Sequence, residues 1–184
     1  MPLPESNARK QLHTRTINCE GFQRDDGLWE VDAHLVDVKT YAFEHDYRGT
    51  LNPGDPVHEM WIRLAVSEQM VVQDCLAVTD HSPYACCDEI NGRFKNLIGE
   101  KIGRGWNRRV KELVGGPSSC THLVDLIAPA TTTLFQTMAG LSRGQQDKAG
   151  VKPFYIDGCH AWNSHGPQVL KYHPQHFTGK ADKQ

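Results

Sequence analysis

From Trp29 to Val36 the chain alternates, with Trp29, Val31, Ala33 and Leu35 on one side and Glu30, Asp32, His34 and Val36 on the other. A period of two marks a half-buried β-strand, and Asp26-Gly27 supplies the turn before it. A second alternating run follows the loop Asn52-Pro53-Gly54-Asp55-Pro56, setting Met60, Ile62, Leu64 and Val66 against Trp61, Arg63 and Ala65. A third covers Met70 to Val78. Ser67-Glu68-Gln69 is short enough to join the last two as an antiparallel hairpin. An earlier strand is expected near Leu12 to Cys19.

The period then lengthens. Ile90, Phe94, Leu97 and Ile98 recur at helical spacing, as do Trp106, Val110, Leu113 and Val114, so both sets predict amphipathic helices. Gly103 and Gly105 punctuate the join, and Gly115-Gly116 ends the second helix. A third helix is expected from about Thr121 to Met138, with a kink or break at Pro129. Residues 142–150 form a polar linker, Phe154-Tyr155-Ile156 a short strand, and the tail from Phe177 frays. Strands first and helices second predict an α+β fold. Three to five strands form an antiparallel sheet packed against a C-terminal set of helices. All 184 residues are assigned to a single domain, with an ordered core over about 12–165.

Composition narrows the partners. A net charge of −2 spread without a basic block argues against nucleic acid. No apolar run approaches the roughly 20 residues of a membrane helix, and Met1–Lys10 lacks the apolar stretch of a signal peptide. The expected setting is cytoplasmic. There, six cysteines point to metal binding, redox work or burial, not to a disulfide framework. Cys19 and Cys75 fall within strands, as small packing residues.

The run Gly115-Gly116-Pro117-Ser118-Ser119-Cys120-Thr121-His122-Leu123 places Cys120 at or near the first residue of a helix. Free N–H groups and the positive end of the macrodipole favour thiolate there. Four residues at element ends form the candidate metal set: His58, Cys87, Cys120 and His122, holding one zinc or non-haem iron ion. Cys159 and His160 complete or cap it. The alternatives are buried cysteines with locally bonded histidines, or a nucleophilic Cys120 served by His122 or His58. A Rieske cluster is disfavoured, because Cys159 and His160 are adjacent and cannot form its second half. Vicinal Cys86-Cys87 makes a strained disulfide, which disfavours a redox pair.

Glu59 or His34 is the acid/base candidate, and Trp29, Trp61 or Trp106 the wall of an apolar pocket. Asp37 and Lys39 fall on the parity opposite to His34, as a pair on the sheet. Arg104, Arg108, Arg109 and Lys111 form a solvated helix face or an anion site.

Several motifs carry a resemblance: Asp26-Gly27-Leu28-Trp29 with Ala33, Leu35, Asp37 and Lys39; Val57-His58-Glu59-Met60; Pro83 with Cys87; Gly99, Ile102 and Gly105-Trp106; Gly116 with Cys120-Thr121-His122-Leu123. From about Arg15 to Trp162 they resemble the bacterial family catalogued as domain of unknown function 2889. Ser119 stands where members usually carry glycine. That family implies no reaction. From about Gly54 to Phe135 the order of elements and cysteines is also similar to scaffold proteins that assemble iron–sulfur clusters. This likeness implies a metal pocket between Val57-His58-Glu59, Cys87 and Cys120. The expected function is therefore a metal-binding protein, as a hydrolase or lyase acting on a small aromatic or acyl substrate. The alternatives are a metal carrier or scaffold and a cysteine-nucleophile enzyme.

Overall fold

The computed structural model describes residues 3–146, 152, 153 and 155–179, except the side chains of 140–146. The chain divides into two compact units, Met1–Thr137 and Met138–Gln184. In the first, strands β1 (His13–Gln23), β2 (Trp29–Lys39), β5 (Pro56–Val66) and β6 (Val72–His81) form an antiparallel sheet in the order β1-β2-β5-β6. A separate hairpin, β3 (Phe43–His45) with β4 (Gly49–Leu51), fills the β2–β5 connection. The fold is α+β, as expected.

Period two becomes burial through register. Val31 pairs with Leu64, Ala33 with Ile62 and Leu35 with Met60, and all six side chains are buried. The same parity continues to Asp37, opposite His58. The apolar stripe thus ends on a carboxylate and an imidazole on the inner face.

Helix α1 (Trp106–Val114) buries Trp106, Val110 and Val114, and Trp106 Nε1 donates to Thr131 Oγ1 at 3.0 Å in helix α2 (Thr121–Gln146). Along β1, Asp125 meets Arg15, Thr133 meets Cys19 and Thr137 meets Gly21. Eight helical residues rise about 12 Å and four strand residues about 13 Å, so α2 and β1 run side by side in one direction. At Gly21 a side chain has no room, because a Cβ there would strike the Thr137 hydroxyl. Gly21→Val is expected to destabilise the protein by about 1–3 kcal/mol in urea unfolding. Adding Thr137→Ala should recover part of that loss.

Four expectations are corrected. The helix expected over 90–98 is a 3-10 helix, Asn91–Leu97. Phe94 and Leu97, three apart, bury one stripe of that tighter turn, and Ile98 is exposed. Pro129 does not break α2, which continues as one element. Beyond the proline, Thr131 Oγ1 donates to the Ile127 carbonyl at 2.7 Å and Thr132 Oγ1 to that of Ala128 at 3.0 Å, the back-bonding that threonine makes within a helix. The expected linker starts too early, since 142–146 belong to α2; 147–150 lie outside the described residues.

In the second unit Tyr155 and Ile156 lie in a turn instead of the expected strand, and Phe154 falls outside the described residues. Asp157, at a φ of 67°, accepts from the Ser164 N–H at 2.8 Å and from Lys152 Nζ at 2.6 Å. The short helix α3 (Pro167–Tyr172) follows. Among the described residues no helix is long and apolar enough to cross a membrane.

Candidate metal centre

Asp37 stands near the end of β2, 1% exposed, with a register shift after it. A buried carboxylate needs compensation. Arg15, its neighbour across the β1–β2 pairing, provides it through Nε to Oδ1 and Nη2 to Oδ2, both at 2.8 Å. His13 Nε2 lies 3.0 Å from Oδ1. Oδ2 also faces two imidazoles: His58 Nδ1 from β5 at 3.1 Å and His122 Nε2 from the first turn of α2 at 3.9 Å. The three ligand atoms of Asp37, His58 and His122 lie within 4.8 Å of one another. The two rings stack with centroids 3.8 Å apart and planes at 29°.

One of these contacts is short of a hydrogen bond. His58 Nδ1 is buried, and its approach to Oδ2 lacks hydrogen-bond geometry, leaving a polar atom without a protein partner. Burial would push the Asp37 carboxyl up. The hydrogen bonds from Arg15 and His13 outweigh it and hold the carboxyl at about 2. Burial, then the neighbouring His122, push His58 down to about 4, against the pull of Asp37. Burial, then Arg15, lower His122 as well. At neutral pH the group is one carboxylate and two neutral imidazoles, the protonation states that metal binding requires.

Two imidazole nitrogens and one carboxylate oxygen form a donor set of borderline softness that suits zinc or non-haem iron. Three protein ligands leave coordination positions open, unlike the closed sites of structural zinc.

Of the four ligands expected from sequence, the fold brings His58 and His122 together. Cys120 stands immediately before α2, and its carbonyl accepts the Val124 N–H. Its Sγ is 3.7 Å from His122 Nδ1, the ring nitrogen that does not face Asp37, and it lies outside the trio. Cys87 sits in a turn after β6, its N–H donating to the Tyr84 carbonyl, and is also outside the trio. Cys159 and His160 are exposed residues of the second unit, while the trio comes wholly from the first.

Glu59 and His34 are brought together elsewhere. Consecutive strand side chains alternate, so both project from the sheet face opposite to His58 and Asp37. Glu59 bridges His34 Nε2 at 3.1 Å and His81 Nδ1 at 2.9 Å, and His34 stacks on Trp61 with centroids 3.6 Å apart. Trp29 and Trp106 are core residues. Arg109 pairs with Glu100 and Arg108 with Glu112, as on a solvated face.

Asp37 and Arg15 were missed. An acidic residue on the parity of Val31, Ala33 and Leu35 was the available signal, since such a carboxylate enters the core only with a purpose-built partner. The cysteines divide as burial dictates. Cys75 is buried and its thiol is pushed up to about 12, whereas Cys86 and Cys159 are exposed. Maleimide at neutral pH is expected to label Cys86 and Cys159 in the native protein and Cys75 only after unfolding, as read by peptide mass spectrometry.

Sheet, helix and donor set together define an α+β protein with a candidate mononuclear metal centre between two strands and a helix start. The profile of the family described as protein of unknown function (DUF2889) matches residues 13–136. The chain belongs to that family, and every member of the trio lies within the matched span. No curated protein and no solved structure matches it.

Proposed function

We propose that Asp37, His58 and His122 hold one zinc or non-haem iron ion, and that the protein is a metal-dependent hydrolase or lyase acting on a small acyl or aromatic substrate. The observation that carries the reading is the convergence of three ligand atoms within 4.8 Å around a buried His58 nitrogen that makes no hydrogen bond. An ion with open positions polarises a carbonyl or activates water. The donor set contains no thiolate, which supports a single ion over an iron–sulfur cluster. A cytoplasmic setting and a small-molecule partner, without nucleic acid, accord with the charge of −2.

Untagged protein titrated with zinc or ferrous iron should bind one equivalent. Hydrolysis or elimination of small aryl and acyl substrates should disappear on chelation and return when metal is restored. Failure of the wild-type chain to bind either ion would overturn the reading.

A further inference from the structure

Cys120 touches two groups. Its Sγ lies 3.8 Å from Met60 Sδ and 3.7 Å from His122 Nδ1. His122 Nε2 faces Asp37 Oδ2 at 3.9 Å, on the side of the proposed ion. A neutral imidazole has one N–H, so a ring that offers Nε2 to a cation carries its hydrogen on Nδ1. That nitrogen contacts Cys120 Sγ, and Met60, fully buried on β5 opposite Leu35, packs against the same sulfur.

We infer that Cys120 is a positioning residue, accepting the Nδ1–H of His122 so that Nε2 is presented to the metal. This inference rests on the proposed centre. It changes the role of Cys120 from ligand to outer-shell partner, of the kind that fixes the tautomer of a metal-binding histidine.

Long-range proton–nitrogen correlation spectra of His122 test the inference directly. Zinc-loaded wild-type protein should show Nδ1 protonated. Cys120→Ala should weaken zinc binding about 10- to 100-fold, the usual cost of losing an outer-shell partner. Cys120→Ser, which keeps an acceptor beside Nδ1, should restore most of that affinity.

Three results would overturn the inference: His122 protonated at Nε2 in the zinc-loaded wild type, unchanged zinc affinity in Cys120→Ala, or a thiolate-to-metal charge-transfer band in the cobalt-loaded protein. If the wild-type chain takes up no zinc, it is the metal reading that fails.

Discussion

Replacing His122 or His58 with alanine is expected to lower zinc affinity by on the order of 100-fold or more, because either change leaves two protein ligands at the ion. The stability of the metal-free protein should hardly change. Neither ring makes a well-formed hydrogen bond to Asp37, although His58 Nδ1 lies 3.1 Å from its Oδ2. The contrast is diagnostic. Zinc at 100 times its dissociation constant adds about 2.7 kcal/mol to a folded protein that binds it. Thermal melts with and without zinc should thus diverge for the wild type and coincide for both variants. Coincident melts in the wild type would leave the rings as mere neighbours.

Asp37→Ala is expected to remove the metal and also to damage the fold. The carboxylate is 1% exposed and takes two 2.8 Å hydrogen bonds from Arg15. Removing one partner of a buried ion pair costs about 3–5 kcal/mol. The Arg15 side chain is 35% exposed and also reaches Asp125, so water and a second carboxylate soften the loss to about 2–3 kcal/mol. Chemical denaturation of metal-free protein measures it.

The same pair predicts an acid limb. Asp37 titrates at about 2 in the folded chain against an ordinary value of 3.8, so its contribution is complete above 3.8 and is lost as pH falls through 2. An acid titration should show that limb in the wild type and lack it in Asp37→Ala. Asp37→Asn separates the two effects, keeping the shape while removing the charge that both Arg15 and the ion require.

How far the sequence carried the fold follows from where its signals are local. Strand alternation in Trp29–Leu35 and Met60–Val66 was strong because each residue's fate depends on its parity alone. The β3–β4 hairpin is only three residues a side, too short for a period to register. Pro129 misled because its steric rule is local, while the packing of α2 along β1 is contextual. The centre divides the same way. His58 and His122 stood out as residues at element ends. Asp37 did not, because a carboxylate on a strand is ordinarily a surface residue, and its burial depends on Arg15 arriving from a different strand. Cys120 was placed rightly at the helix start, but which edge of the His122 ring it would meet is a matter of side-chain direction, and spacing carries no information about that. Glu59 and His34 were named as alternative acid/base candidates, and the fold brings them together on the face that parity separates from His58 and Asp37.

The trio spans a long stretch of polypeptide, with the carboxylate at position 37 and the final imidazole at position 122. During translation, a growing chain therefore lacks a complete binding constellation until its own late helix emerges from the ribosome and docks. Premature termination upstream of that point yields products that lack at least one of the three groups.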